Sequence, residues 1–431
     1  MKEPTRRLLT YLAMIAMALP FILLAKQPEQ WTAESSALYF GSIAGFVGVV
    51  LLLWQFILGT RTVSALLYRD LSWPIKIHKF LGKWGILAVF VHPLLIMYSY
   101  GEELLYILMP SFKSDFETAV SWGRFGFILL VIIWVSSAFL RGKIKYRPWK
   151  YLHYVSHAIL PLAFLHSPPT GTSLASSEAL LAYWYGLTML FVYLVILRAR
   201  HLFGFSKTSF EIVNNQPLNS EIQLLRLKPL GSWKPVGRGQ YIYLQKKLFG
   251  EEHPFTVLDS KDNGELLVAY KVFGSFTKSM RASLAPGLVV SVDGPYGVFT
   301  KEVSRVDRSP VYIAGGIGIT PFVSHILNNE NNDDYLFYAT KDVPSAVLQN
   351  ELLNKLGNRM VSVYSGNTLP MQGVNIEEGR ISSEILQKYL SDPMAHNYFI
   401  CGPEGMMNHV RRQLAFLGVP KNQIFTEEFG F

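Results

Sequence analysis

Four histidines lie in two apolar stretches of this sequence, at spacings that could place two metal sites one above the other. His78 and His92 are fourteen residues apart in one stretch, and His153 and His166 are thirteen apart in another. On α-helices these spacings correspond to rises of about 21 and 19.5 Å, so the two pairs match in height. Neutral imidazole is a good iron ligand, and two imidazoles on one haem leave the metal to pass electrons. The spacing therefore favours two bis-histidine haem sites, His78 with His153 and His92 with His166.

Two features of this pattern leave alternatives open. His157, one turn after His153, competes as a ligand, although a rise of only about 13.5 Å separates it from His166. His153 and His166 are also about 140° apart around an ideal helix, and Pro161 between them can distort the helix and bring them into phase. A single histidine here would more simply form a hydrogen bond between helices or belong to a proton path. Four at matched heights favour haem iron.

The histidines lie in a region with the composition of a membrane protein. Of 431 residues, 50% are hydrophobic and 16% are charged, whereas about 25% of residues are charged in an ordinary soluble domain. Six apolar runs are long enough, or nearly so, for the roughly 20 residues of a membrane helix, and they predict an all-α six-helix bundle. They lie near 8–25, 36–58, 77–99, 122–140, 150–167 and 179–198. The first run could instead be a signal peptide, because Arg6 and Arg7 precede it, but its length favours an anchor.

The charges flanking these runs predict the orientation of the chain. The net charge is +9, but the basic residues flank the apolar runs instead of forming a soluble basic face, which argues against a nucleic-acid partner. One side of the bundle holds most of them, whereas the other side has only Lys26, Lys113 and Arg124. Because basic loops face the cytoplasm, we expect a multi-pass protein of the plasma membrane with both termini in the cytoplasm.

The second half of the chain has the pattern of a soluble α/β protein. From 206 to 305, short alternating strands broken by Gly and Pro predict an antiparallel β-barrel. The segment "SPVYIAGGIGITPFVSHILNN" then gives a strand, a turn containing Gly315, Gly316 and Gly318, and a helix from Pro321. A helix N-terminus after a glycine-rich turn is suited to a pyrophosphate. We therefore predict a dinucleotide-binding, Rossmann-like α/β domain over 306–431 and a membrane domain over 1–205.

Several motifs resemble the ferredoxin-NADP reductase module, in the variant of the ferric reductase and NADPH oxidase superfamily. They are "HPFTV", "VFGSFTKSM", "VDGPYG", "GGIGITPF", "CGPEGM" and a terminal aromatic residue. The membrane half resembles the six-helix, two-haem domain of the same superfamily, including the histidine spacings. The resemblance covers nearly the whole chain in the expected order, and it implies FAD, two b-type haems and NADPH or NADH as cofactors.

The resemblance also implies roles for individual residues. In the motif "HPFTV", which begins with His253 and Pro254, His253 would contact the FAD phosphates. Phe255 would lie against the isoalloxazine, and Thr256 would form a hydrogen bond near the reactive nitrogen of the flavin. Further implied contacts are Gly274, Ser275 and Thr277 with the FAD pyrophosphate; Gly315, Gly316, Gly318, Thr320 and Pro321 with that of NAD(P)H; and Cys401, Gly402 and Pro403 beside the nicotinamide.

Two implied residues have alternatives. Phe431 would stack on the flavin until nicotinamide displaces it, with Phe429 as a competitor and an ordinary core aromatic as the simpler role. Lys341 stands where the family often has a basic residue for the 2′-phosphate of NADPH, and a solvated surface lysine explains it equally well.

The implied activity is electron transfer from cytoplasmic NAD(P)H through FAD and two haems to an external acceptor. Animal oxidases of the superfamily place an arginine and a second histidine near the outer haem. Here Ile96 stands one turn beyond His92, and the second run has no arginine before Arg61, which argues against a specialised oxygen site. The compact chain resembles stand-alone bacterial oxidases that need no partner subunit, and this favours superoxide production. A ferric-chelate reductase, or a proton-coupled transporter or anchor whose reductase module serves a soluble partner, are the alternatives.

Overall fold

The computed structural model describes residues 3–68, 70–299, 308–329, 333–366 and 375–427. The chain divides into two compact units, Met1–Ala199 and Arg200–Phe431.

The first unit is helical. Among the described residues, five helical stretches are long and apolar enough to cross a membrane: Pro4–Leu24, Ala33–Gly59, Ser72–Tyr100, Asp115–Ala138 and Glu178–Leu202. The helices are α1 (Glu3–Leu24), α2 (Ala33–Gly59), α3 (Arg61–Leu67), α4 (Ser72–Phe80), α5 (Leu87–Tyr100), α6 (Asp115–Ala138), α7 (Tyr146–Tyr154), α8 (Ile159–Thr170), α9 (Thr172–Ala175) and α10 (Glu178–Leu202). The run predicted at 150–167 is divided between α7 and α8, so the count of six spans stays a prediction.

Aromatic side chains form the core between α1, α2 and α10. Phe21 stacks on Phe46 with ring centroids 4.6 Å apart, and Trp184 contacts both rings edge-on. Phe21 and Trp184 are completely buried. Burying such large side chains stabilises the contact between helices, whose outer faces remain apolar for lipid.

The two histidine-bearing stretches are both irregular between their histidines. A π-helical turn, Leu81–Gly85, joins α4 to α5, and a 3₁₀ turn, Val155–Ala158, joins α7 to α8. Pro161 lies in the first turn of α8, where a proline is tolerated but cannot donate a bond to the preceding turn. Four residues wound at about 120° instead of 100° reduce the angle between His153 and His166 from about 140° to about 60°. The expected distortion is therefore present, one turn before the proline.

The second unit begins with a closed antiparallel barrel, as predicted. Its strands are β1 (Thr208–Pro217), β2 (Ile222–Pro229), β3 (Tyr241–Gln245), β4 (Glu252–Ser260), β5 (Leu266–Lys271) and β6 (Val289–Tyr296), in the order β1-β2-β5-β4-β3-β6. Alternate residues such as Phe210 and Ile212 point inward and are completely buried. Helix α11 (Ser275–Ser283) lies between β5 and β6 in the chain.

A parallel α/β sheet follows, also as predicted. Its strand order is β10-β9-β8-β7-β11-β12. The strand that comes first in the sequence, β7, therefore lies inside the sheet. The strands are β7 (Pro310–Gly315), β8 (Tyr335–Thr340), β9 (Met360–Tyr364), β10 (Asn375–Glu378), β11 (Asn397–Cys401) and β12 (Ile424–Glu427), and the helices are α12 (Thr320–Leu327), α13 (Gln349–Leu356), α14 (Ser383–Tyr389) and α15 (Glu404–Phe416). Because β7 and β11 are parallel neighbours, the loops that follow them meet at one edge.

Candidate functional site

The structure places the rings of His78 of α4 and His153 of α7 next to each other. Their ring centroids are 6.0 Å apart and the rings are nearly perpendicular. Nδ1 of His78 lies 3.1 Å from the carbonyl oxygen of Gln55, and Nδ1 of His153 lies 3.3 Å from the hydroxyl of Ser137. Each Nδ1 is thus occupied, which leaves Nε2 as the atom that a metal would meet.

His92 of α5 and His166 of α8 form a second pair of the same kind. Their ring centroids are 6.4 Å apart. Nδ1 of His92 lies 2.8 Å from the carbonyl oxygen of Gly41, and Nδ1 of His166 lies 2.9 Å from that of Ala119. A carbonyl oxygen only accepts hydrogen bonds, so both rings carry their proton on Nδ1 and offer the lone pair of Nε2.

The separation within each pair suits two imidazoles on one metal ion. Two metal–nitrogen bonds of about 2 Å, with ring centres about 1.1 Å beyond each nitrogen, place the centroids roughly 6.2 Å apart. The observed 6.0 and 6.4 Å lie on either side of this value. The residues present therefore fit bis-histidine ligation.

Three glycines make room for three of these rings. A β-carbon would lie 2.7 Å from His78 at Gly59, 2.8 Å from His92 at Gly45, and 2.6 Å from His166 at Gly123. Gly45 and Gly59 are fourteen residues apart on α2, the same spacing as the two histidines that they face. The equal spacing of these glycines and histidines is visible in the sequence and could have indicated that they face each other.

His157 is placed differently from its rival His153. Its Nδ1 bonds to the carbonyl oxygen of Tyr154, 2.8 Å away in its own helical segment, and its ring lies edge-on against Phe56. The structure thus pairs His153, and not His157, with the ring of His78.

Arg124 is a further candidate that sequence reasoning misplaced. It was counted only as one of the basic residues that flank the bundle on its outer side, although it falls inside the predicted run at 122–140, and the structure places it in the second quarter of α6. Only 6% of its surface is exposed. An arginine at this depth in an apolar helix is costly and therefore marks a functional site.

The predicted FAD motifs meet on one side of the barrel. The His253 ring stacks on Phe276 of α11 with centroids 3.9 Å apart, and Phe255 lies 6.3 Å from Phe276 in a parallel orientation. Thr256 is buried on the same strand, β4. The aromatic stack brings "HPFT" and "GSFT" together, which the sequence alone did not show.

The N-terminus of α11 has the free space that a phosphate would need. A β-carbon at Gly274, the residue before the helix, would meet nothing within 4 Å among the described residues. The hydroxyl of Thr277 accepts bonds from the amides of Phe273 and Gly274, at 3.0 and 3.1 Å. Thr277 thus shapes the turn, while the first amides of the helix, from Ser275 onward, face a site suited to an anion.

The glycine-rich turn after β7 is packed against the turn after β11. A β-carbon at Gly318 would lie 2.4 Å from the carbonyl oxygen of Cys401, and one at Gly315 would lie 2.5 Å from the sulfur of Met406. The chain continues into α12 with Thr320 and with Pro321 in the first turn. The two predicted NAD(P)H motifs, including Gly402 and Pro403, therefore form one surface at the carboxyl edge of the sheet.

Cys401 lies beneath this surface and not on it. The side chain is completely buried. Burial, with a contribution from the negative charge of Glu427, raises the pKa of the Cys401 thiol well above its ordinary value. The thiol is therefore protonated at neutral pH and is not a nucleophile.

The remaining predicted residues are either exposed or outside the described part of the chain. Lys341 is exposed directly after β8, beside the glycine-rich turn of the neighbouring strand. Phe429 and Phe431 lie outside the described residues, so both stay predictions.

A buried polar cluster at the start of the barrel is a weaker metal candidate. His201, Glu252 and Asp293 bring ligand atoms within 4.8 Å of one another. Lys207 already binds Glu252, however, and Nδ1 of His201 bonds to Ser206 at 2.8 Å. We assign this cluster to holding β1, β4 and β6 together.

Comparison with known protein families follows the same division of the chain. Residues 44–164 match the ferric reductase like transmembrane component, residues 203–300 an FAD-binding domain, and residues 312–412 an oxidoreductase NAD-binding domain.

Individual relatives match about half of the chain. The reductase component of propane 2-monooxygenase from Rhodococcus jostii (strain RHA1) is 25% identical over 231 residues, covering 50% of this chain and 61% of that protein. Ferric reductase transmembrane component 5 of Saccharomyces cerevisiae is 27% identical over 258 residues, covering 57% of this chain and 34% of that protein. The chain thus spans less than two thirds of the length of either relative.

Among solved structures, the flavohem-like FAD/NAD binding domain of nitric oxide dioxygenase from Vibrio cholerae O1 biovar El Tor is similar. It is 20% identical, with a TM-score of 0.45, covering 52% of this chain and 98% of that one. The three matches confirm the predicted resemblance to the ferric reductase and NADPH oxidase superfamily, and they give the chain the FAD- and NAD-binding domains of an NAD(P)H-dependent oxidoreductase.

Proposed function

We propose that this protein carries electrons from NAD(P)H through FAD and two b-type haems across a membrane to an acceptor on the far side. The observation that carries the proposal is the pair of facing imidazole couples, His78 with His153 and His92 with His166. When bound, FAD takes a hydride and releases its electrons singly, and each haem carries one electron at a time.

The chain's own contribution to the haem sites is ligation and positioning. Hydrogen bonds at Nδ1 fix the orientation of all four rings and direct Nε2 toward the metal. Two imidazoles would hold each haem iron and leave no position open to substrate, which would suit these sites to electron transfer.

The loop charges supply the direction of transfer. The basic side of the bundle faces the cytoplasm under the positive-inside rule. His78 and His153 then lie toward the cytoplasm and His92 and His166 toward the outside of the plasma membrane. Both termini and the soluble half are cytoplasmic, where NAD(P)H is available.

In the soluble half, backbone groups and aromatic rings position the two nucleotides. His253 and the N-terminus of α11 would hold the FAD phosphates, and Phe255 and Thr256 would face the flavin ring. The turn from Gly315 to Pro321 would hold the NAD(P)H pyrophosphate, with Gly402 and Pro403 beside the nicotinamide and the buried Cys401 beneath them. Lys341 would bind the 2′-phosphate and so favour NADPH.

We propose dioxygen as the acceptor, giving superoxide. One hydride supplies two electrons, so two dioxygen molecules would be reduced for each NAD(P)H oxidised. A ferric chelate is the second candidate, because the membrane half matches the ferric reductase like transmembrane component and the chain is similar to a yeast ferric reductase component.

An acceptor competition tests this choice. Full-length protein with FAD, haem and NADPH is assayed for superoxide-dismutase-sensitive cytochrome c reduction in air, and for ferrozine-detected Fe(II) from ferric citrate without oxygen. A superoxide rate well above the iron rate is expected. The opposite order would favour ferric-chelate reduction, and a haem-free protein would favour an anchor or proton-coupled transporter.

A further inference from the structure

Arg124 is a buried charge that the proposed electron path does not use. It lies on α6, nine residues after the helix begins, and is 94% buried. Nine residues correspond to about 13.5 Å along the axis of this 24-residue helix. A guanidinium in such surroundings needs hydrogen-bond partners and a counter-charge.

The guanidinium is only partly satisfied. Nη1 donates to the carbonyl oxygen of Met109, and the plane of the group lies 4.0 Å above the centre of the Tyr106 ring. Nη2 is buried and has no hydrogen-bond partner among the residues that the structure describes. An unpaired, buried N–H of a charged group is a site for an acceptor.

The segment that contacts Arg124 is fastened to α6. Ser111 and Ser121 exchange two hydrogen bonds of 2.8 Å, and the Ser111 hydroxyl donates to Glu117 at 2.7 Å. Met109 is therefore held in place beside α6, and the position of the guanidinium is built into the fold and does not depend on a bound group.

Arg124 lies beside the His92–His166 pair. The residue before it, Gly123, contacts the His166 ring, and Ala119 on the same helix accepts the hydrogen bond from His166 Nδ1. Arg124 follows Gly123 directly on α6, so it lies at the level of the His166 ring along the helix. A ligand that occupies the free Nη2 is therefore also next to the proposed outer haem.

We propose that Arg124 binds a carboxylate at the outer haem site. A guanidinium prefers planar, anionic oxygen pairs, which supply both the missing acceptor and the missing counter-charge. The carboxylate belongs either to the porphyrin's own propionate or to the ferric chelate that receives the electron. This inference rests on the proposed function, because it requires haem between His92 and His166.

The test compares Arg124→Gln and Arg124→Lys with Lys113→Gln in the full-length protein. Lys113 is exposed on the same segment, so its variant removes an equal charge without altering the buried site. Two quantities are measured: transfer of haem from the protein to excess apomyoglobin, and KM for ferric citrate relative to the rate with dioxygen. FAD content and a monodisperse elution profile show that each variant is folded.

If Arg124 binds the propionate, one of the two haems leaves Arg124→Gln at least tenfold faster than it leaves wild type, because a bond that holds the porphyrin has been removed. If it binds the chelate, haem transfer is unchanged and KM for ferric citrate rises at least tenfold, with the dioxygen rate preserved. Arg124→Lys should lie between wild type and Arg124→Gln in either case. Identical behaviour of Arg124→Gln and Lys113→Gln in both measurements overturns the inference while the proposed function stands. A wild-type protein without haem overturns both.

Discussion

Gly123 touches His166 so closely that a β-carbon on the glycine would lie 2.6 Å from Nδ1 of the imidazole. The ring cannot simply move away, because the same Nδ1 is 2.9 Å from the carbonyl oxygen of Ala119 on the same helix. We therefore predict that Gly123→Ala displaces His166 and leaves about half of the wild-type haem content. A pyridine haemochrome assay against bound FAD measures this ratio.

Gly186 provides the matched control. It lies on the membrane helix α10, and a β-carbon there would meet nothing within 4 Å among the described residues. Gly186→Ala should keep the full haem content and, through better helix propensity, stabilise the protein by up to about 1 kcal/mol. Equal haem loss in both variants would mean that the loss is not due to the contact with His166.

His153 and His157, two of the three histidines of the fifth apolar run, should differ in their effects. His153 faces His78, whereas His157 bonds to its own backbone at Tyr154. His153→Ala should remove the inner haem, and His157→Ala should leave both haems with unchanged low-spin spectra. Electron paramagnetic resonance distinguishes these cases. If His157→Ala loses a low-spin haem signal and His153→Ala keeps both signals, His157 and not His153 is the haem ligand.

The contact between Gly318 and Cys401 should control use of NAD(P)H. Because the clash of a β-carbon would be with a backbone oxygen at 2.4 Å, Gly318→Ala must separate the two turns. Reduction of bound FAD by NADPH should slow at least roughly tenfold, equivalent to about 1.4 kcal/mol, while FAD content is kept. Stopped-flow absorbance at the flavin band is the measurement.

Gly405, in the same "CGPEGM" motif, has free space around it and serves as the control. Gly405→Ala should reduce FAD at the wild-type rate. A normal rate in Gly318→Ala would show that the close packing of the two turns is not needed for hydride transfer.

His325 should make the soluble half less stable in acid. Burial, aided by the positive charge of Arg238, lowers the pKa of His325 to about 4. An unfolded chain binds the proton near pH 6.5, so the stability that this neutral histidine contributes is complete above pH 6.5 and is lost as pH falls toward 4. The midpoint of thermal FAD release should fall more between pH 7 and pH 5 in wild type than in His325→Gln. Parallel pH dependences would contradict this.

The histidine pairs and the two soluble folds could be predicted from the sequence because each depends on local periodicity. Spacing along one helix fixes the height of His78 and His92, and strand alternation fixes the barrel. The phase of His166 could not be calculated in the same way, because a 3₁₀ turn before Pro161 changes the winding. Pro161 was the feature of the sequence that indicated this change in winding.

Contacts between helices were the part that the sequence concealed. Gly45 and Gly59 repeat the spacing of the histidines, but only packing shows that they face them. Arg124 was counted as a flanking charge because it stands near the start of the predicted run at 122, whereas α6 begins seven residues before that start. Burial of a charge depends on neighbouring helices and so cannot be obtained from one segment.

The central claim, that two haems in series receive electrons from NAD(P)H, is tested most directly by anaerobic reduction of the purified full-length protein. Absorbance is followed after addition of NADPH to protein with measured FAD content. We expect two bis-histidine b-type haems for each FAD, and we expect NADPH to reduce both. The His92→Ala variant should lose one of these haems. A colourless preparation, or haem that stays oxidised while FAD is reduced, would contradict it.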